Sequence, residues 1–278
     1  MIKFDNVTYV YPTGVKALDG VSVEIGRGEL VAIMGENGAG KTTFIKHLNG
    51  LLKPTSGSVY VDGKNTKTLS VAQLSKIVGV VFQNADDMFF LPTVEEEVAF
   101  SLRNLGFSEE VVQKRVDWAL NFMELEEYRK RSPFLLSGGE KKRLALAIIL
   151  AWNPQVIAMD EPTVGQDSLQ KEKLKEMIKQ LNLQERTVII STHDVEFVAE
   201  LKPRVILMSR GRIVADGKAD VILTDGELLS NCSILMPQVA ATMSRLADLG
   251  FNAKVISVEE AVRNIVEGLM RFEHIRGA

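Results

Sequence analysis

Between Gly35 and Thr43 the chain reads GENGAGKTT, directly after the apolar run Leu30-Val31-Ala32-Ile33-Met34. Glycine loses the most conformational freedom on folding, so three in nine residues imply a backbone path that side chains would obstruct. Gly35 and Gly40-Lys41-Thr42 fit the spacing G-x-x-x-x-G-K-[ST] of a phosphate-binding loop. Across Gly35, Glu36, Asn37, Gly38, Ala39 and Gly40, consecutive N–H groups can turn inward around an anion. The helix expected after the loop opens its positive end toward the same point. Lys41 supplies a mobile charge for terminal phosphates, and the Thr42 hydroxyl can ligate magnesium. This arrangement needs a buried strand before the loop and a helix after it, which commits the chain to an α/β architecture.

Two further segments place polar groups at strand ends. VIAMDEP puts Asp160 and Glu161 after a second buried strand. A carboxylate there can hold magnesium through water, and an adjacent one can orient or deprotonate an attacking water. Taken alone, the pair also fits a solvated strand cap. STHD places His193 at the end of a third strand. There it is either a satisfied polar residue or, beside the other two motifs, a sensor of the γ-phosphate.

Strands alternate with helices along most of the chain, which predicts a mostly parallel sheet covered on both faces. Strands are expected over 2–10, within 21–34, around SGSVYVDGK, in IVGVVFQN up to Gln83, and over 156–160 and 187–192. RVILMSRGRIVADG reads as a hairpin. Helical spacing follows the glycine loop at Phe44, Leu48 and Leu51. Over about 94–130 apolar residues recur at three and four, from Val94, Val98 and Leu102 to Met123, as in an inserted helical subdomain. A helix is expected from Glu140 to about Trp152, stopping before Pro154. Another covers Leu169–Leu181.

After about residue 218 the texture changes. A helix runs between Pro237 and Gly250, and another follows the capping-box pair Ser257 and Glu260 with the stripe Val258, Val262, Ile265, Leu269 and Phe272. These boundaries predict a nucleotide-binding domain over 1–218, with a helical subdomain at about 94–152 inside it, and a small C-terminal domain over 219–278.

Composition excludes several classes. The net charge of −3 gives no basic field for nucleic acid. The single cysteine, Cys232, cannot form an intrachain disulfide, and no His/Cys cluster has metal-ligand spacing. The longest apolar stretch, Leu144 to Trp152, is far short of the roughly twenty residues that cross a bilayer. The chain is therefore expected to be soluble and to meet any membrane through partners.

With LLSGGEKKRLALA added to these motifs, the chain resembles the ATP-binding-cassette ATPases over about residues 2–218. That resemblance implies a P-loop core, an antiparallel β subdomain, and ATP and magnesium as ligands. It implies that Tyr11 stacks on adenine and that Gly35 through Thr43 hold the phosphates. Gln83 would contact magnesium and respond to a membrane partner. Asp160 would bind magnesium, Glu161 would be the catalytic glutamate and His193 the switch histidine. Ser137, Gly138 and Gly139 would be the signature, facing the nucleotide of a second ATPase chain paired head to tail, a copy or a paralogue. Asp167 would lie in the loop that crosses that interface. Glu140 stands where glutamine is frequent and Gln166 where leucine is.

FQNADDMFFLPTVEEEVAFSLRNLG, residues 82–106, further resembles the ATPases of energy-coupling-factor importers for metal ions or vitamins, as does the C-terminal tail. This implies transmembrane transporter subunits as partners and a peripheral position on the cytoplasmic face of the membrane. The cluster Phe89-Phe90-Leu91 is either local core or part of a groove for a helix of the membrane subunit. The alternatives are an importer fed by a binding protein and a soluble cassette ATPase, as in iron–sulfur assembly.

Overall fold

The computed structural model describes the backbone of residues 1–276 and the side chains of residues 1–270. Among these residues the strands form two sheets. β1 (Ile2–Val10) pairs antiparallel with β2 (Lys16–Ile25), and β3 (Leu30–Met34) leads into the glycine loop. Strand β2 starts at Lys16 rather than at 21, because shifts of register along the β1 pairing break the alternation that would reveal it. α1 (Lys41–Leu48) follows the loop and ends before Leu51, which is exposed beyond Gly50 in a left-handed conformation.

β4 (Ser56–Val61) and β5 (Lys64–Asn65) extend the first sheet to the order β2-β1-β4-β5. Next come α2 (Val71–Leu74), β6 (Val78–Val81), α3 (Val94–Asn104), α4 (Glu109–Phe122), α5 (Gly138–Ala151), β7 (Val156–Asp160), α6 (Ser168–Leu183), β8 (Thr187–Thr192), α7 (Val195–Leu201), β9 (Arg204–Ser209) and β10 (Arg212–Lys218). The second sheet has the order β10-β9-β3-β8-β7-β6, parallel except for β10. α5 begins at Gly138, two residues before the expected start, because Ser137 caps it and Glu140 completes the capping box.

Alternation along a strand explains the continuous apolar runs. Val156 and Ala158 of β7 face a core shared with α1 and the antiparallel sheet, where Phe44 stacks on Phe4 with ring centroids 4.0 Å apart. Ile157 and Met159 face the opposite core, with α3, α4, α5 and α6. A strand buried on both faces must be apolar at every position.

The remaining segment holds α8 (Ala219–Ile222), α9 (Gly226–Asn231), α10 (Gln238–Arg245) and α11 (Val258–Arg276). Ile222, Leu223, Leu229, Cys232, Ala240 and Ile256 share one cluster with Ala32, Met34, Val205 and Leu207 of the parallel sheet. Val258, Val262, Val266 and Leu269 of α11 are exposed. The Phe272 side chain, placed in the α11 stripe by its spacing, lies outside the described residues. Among the described residues no helix is long and apolar enough to cross a membrane.

Candidate functional site

Because β3, β8, β7 and β6 are parallel neighbours, the segments that follow them meet at one edge of the sheet. These are the glycine loop, His193, Glu161 and Gln83. A crevice at the carboxyl ends of parallel strands is where such sheets bind ligands. A cavity of about 590 Å³ lies there, lined by Tyr11, Asn37, Gly38, Gly40, Lys41, Thr42, Thr43, Gln83, Glu161 and His193. Gly35, Glu36 and Ala39 form the back of the loop rather than the wall.

Backbone crowding explains two of the three loop glycines. A Cβ on Gly40, whose φ is +107°, would sit 2.6 Å from the Ala17 carbonyl oxygen. One on Gly35 would sit 2.4 Å from the Met208 carbonyl oxygen. The loop is thus wedged against β2 and β9, and its open side is left to a ligand.

Charge converges on Glu161. Its carboxylate is buried, with Oε1 3.4 Å from Lys41 Nζ and Oε2 2.9 Å from His193 Nδ1. Lys41 Nζ also donates to the carbonyls of Gly35 at 2.7 Å and Glu36 at 3.1 Å. Glu161 has a φ of +48°, a left-handed conformation uncommon outside glycine and asparagine, and its N–H donates to the Ser191 carbonyl. Asp160 lies behind the cavity, buried, and accepts a hydrogen bond from the Ser191 hydroxyl. The Tyr11 hydroxyl meets Thr43 Oγ1 at 3.0 Å, and its ring rests edge-on against Tyr9.

The triplet expected to be the signature is elsewhere. Ser137, Gly138 and Gly139 open α5 and do not line this cavity. Ser137 caps the helix, and Glu140 Oε2 accepts the Ser137 N–H at 2.7 Å. That bond, with Tyr128 beside it, holds the Glu140 carboxyl below its ordinary range. Asp167 likewise caps α6 in a capping box with Gln170. Lys142, which sequence reasoning passed over, donates from α5 to the carbonyls of Pro162 and Val164, just after Glu161. Charge and spacing alone gave it no signal, because its partners are main-chain oxygens distant in sequence.

The Phe89-Phe90-Leu91 cluster divides. Phe89 is buried, whereas Phe90 is 61% exposed and packs edge-on against Phe100 at 4.9 Å. Buried Glu97 holds this turn by accepting the N–H groups of Phe90 at 2.5 Å and Leu91 at 2.6 Å.

Residues 18–164 match the family model described as "ABC transporter". The chain belongs to this family. It is 42% identical over 270 residues to the "Energy-coupling factor transporter ATP-binding protein EcfA" of Methanothermobacter thermautotrophicus, covering 96% of this chain and 86% of that protein. Its fold is similar to the solved structure of cbiO1 from Clostridium perfringens, described as part of the ABC transporter complex cbiONQ. That match has a TM-score of 0.71 and 33% identity, and covers 89% of this chain and 97% of that one. A dimeric ATP-binding cassette in a post-hydrolysis state, bound to ADP and Pi, matches with a TM-score of 0.73 and 35% identity over 79% of this chain and 99% of that one. This cassette is accordingly an ATP hydrolase coupled to transport.

The cavity suits magnesium with a nucleotide. Among the described residues no cluster of three or more His, Cys, Asp or Glu could cage a metal. The Thr42 hydroxyl and the Gln83 amide instead offer a sparse set of oxygen donors in the cavity wall, with the buried Asp160 carboxylate behind it. Magnesium is usually held in this way, taking the rest of its shell from phosphates and water. No atom lies within 4 Å of where a Gly38 Cβ would stand, so this part of the cradle is open.

Proposed function

We propose that this cassette hydrolyses Mg-ATP to power an energy-coupling-factor importer, bound peripherally to transmembrane subunits at the cytoplasmic face. The convergence of Lys41, Glu161 and His193 on one wall of the phosphate cavity is the observation that carries the reading. Tyr11 takes the adenine, and the loop from Gly35 to Thr43 takes the phosphates. Lys41 turns from its own loop carbonyls to the β- and γ-phosphates. Thr42, Gln83 and Asp160 hold magnesium, which neutralises charge on the phosphates when bound.

Glu161 orients the attacking water and accepts its proton. His193 fixes the carboxylate through Nδ1, which leaves its other nitrogen for the γ-phosphate. Positioning of this kind is the main catalytic device in phosphoryl transfer, where the protein makes and breaks few covalent bonds. A second ATPase chain, a copy or a paralogue, completes each site with its Ser137–Gly139 segment or the equivalent. ATP then favours the closed pair because only the closed pair contacts it from both sides. The exposed Phe90–Phe100 pair, within the segment that follows Gln83, is the face offered to a helix of the membrane subunit.

Purification of the tagged chain from its host's membranes in detergent tests this reading. A multi-spanning subunit together with a small substrate-binding membrane protein is the expected result. A pair of conventional permease subunits would replace the importer branch with the binding-protein-dependent one. Soluble partners alone would overturn the transport assignment.

A further inference from the structure

Lys142 lies on the first turns of α5, three residues after Gly139, and its ammonium is half-buried. Nζ donates to the Pro162 carbonyl at 3.2 Å and to the Val164 carbonyl. Those oxygens belong to the turn that begins at Glu161. Its other ties are Val164 N–H to Glu161 O at 3.3 Å, Gln166 N–H to Thr163 O at 3.1 Å, Glu161 N–H to Ser191 O at 2.9 Å and a side-chain hydrogen bond between Thr163 and Asp194, none of which reaches α5. It also starts from the left-handed backbone of Glu161, a conformation that persists only where the surroundings enforce it. Burial pushes the Lys142 ammonium down, and the nearby Glu161 charge opposes that shift. A second link runs in parallel, since the Gln170 amide packs against Gly139, 2.5 Å from where a Cβ would stand, while Gln170 Oε1 also accepts the Asp167 N–H in the capping box of α6.

We infer that Lys142 is a positioning residue that clamps the Glu161 turn to the signature helix. In this way the engagement of Ser137–Gly139 sets the geometry of Glu161 in the same chain. The inference rests on the paired-site reading proposed above. In that reading the signature serves the partner's nucleotide while Glu161 serves the chain's own. A movement of α5 on binding the partner's ATP therefore reaches Glu161 directly through Nζ and the two carbonyls, and each site senses whether the other is filled. Lys142 does not line the nucleotide cavity, so its effect falls on turnover rather than on binding.

The test is a double-mutant cycle on the full-length chain, pairing Lys142→Met with Ser137→Gly. Glycine is tolerated as a helix cap, so the second change removes the signature hydroxyl with little loss of helix. Lys142→Met should lower kcat about tenfold, as misplacement of a catalytic group does, and leave KM for ATP unchanged. Lys142→Arg, which can still reach the carbonyls, should recover most of the rate. The double variant should be no slower than the slower single variant, because both act through one linkage. Multiplied losses, a wild-type kcat for Lys142→Met, or a fall in kcat that tracks a lowered Tm would each overturn the inference. The paired-site reading fails separately, if Glu161→Gln loaded with ATP stays a single chain by light scattering. The inference alone fails if the ATP-loaded variant pairs but the two losses multiply.

Discussion

Replacing Gly40 by alanine adds one methyl group to the phosphate loop and should cripple it. The new Cβ would stand 2.6 Å from the Ala17 carbonyl oxygen and 3.1 Å from Leu18 Cδ2. Ordinary contact begins near 3.4 Å, so loop or strand must retreat by about 0.8 Å. The left-handed backbone at φ +107° adds about 1–2 kcal/mol for any L side chain. Together these predict about 3 kcal/mol of destabilisation. A displacement of that size also removes inward N–H groups from hydrogen-bond range, and ATP affinity should fall about a hundredfold.

Gly38→Ala is the control, because nothing lies within 4 Å of its Cβ position and only the backbone cost at φ +85°, about 1 kcal/mol, remains. Urea denaturation gives the first quantity, and fluorescence titration with a nucleotide analogue gives the second. If the two variants lose stability and affinity equally, crowding against Ala17 is not what demands glycine at position 40.

Other consequences are accessible. Burial holds the His47 imidazole below its ordinary pKa, its Nδ1 meeting the Thr43 carbonyl at 2.7 Å. The unfolded chain therefore takes the proton first, and stability should be lost as pH falls below about 6.5. Melting at pH 7.5 and 5.5 should show a larger drop for wild type than for His47→Gln, and equal drops would refute the assignment. Glu97→Ala strands the N–H groups of Phe90 and Leu91 and should cost about 2 kcal/mol. It should impair uptake in membranes while ATP binding by the isolated chain stays intact; weakened ATP binding would contradict the separation of the two surfaces. Truncation after Ser257 removes α11 and its exposed stripe but spares the cluster beneath β3 and β9. If α11 holds the ATPase pair together, light scattering without nucleotide should show weaker association, and an unchanged constant would count against that role. Truncation after 218 is less informative, because it uncovers Ala32, Met34, Val205 and Leu207.

The site was legible where chemistry is local in sequence. Gly35–Thr43, Asp160–Glu161 and His193 each follow an apolar run, and parallel pairing of those runs brings their ends together. The register of Asp160 beside Ser191 and of Met34 beside Thr192 expresses this directly. Features that depend on distant pairing were hidden. The start of β2 at Lys16 is set by β1, the Tyr11–Thr43 contact joins two elements, and the grip of Lys142 on Pro162 and Val164 spans about twenty residues. Phe89 and Phe90 show the limit most simply. Adjacent identical residues have opposite fates, Phe89 packed into the helical core and Phe90 turned out where Glu97 holds its N–H.

The most direct test of the central claim is nucleotide retention by Glu161→Gln. The variant keeps the shape of the cavity and removes the carboxylate proposed to activate water. After incubation with Mg-ATP and rapid gel filtration, it should hold one intact ATP per chain, and Glu161→Gln combined with Lys41→Ala should hold none. Rapid hydrolysis by Glu161→Gln, or retention that survives loss of Lys41, would contradict the assignment of this cavity as the ATPase centre.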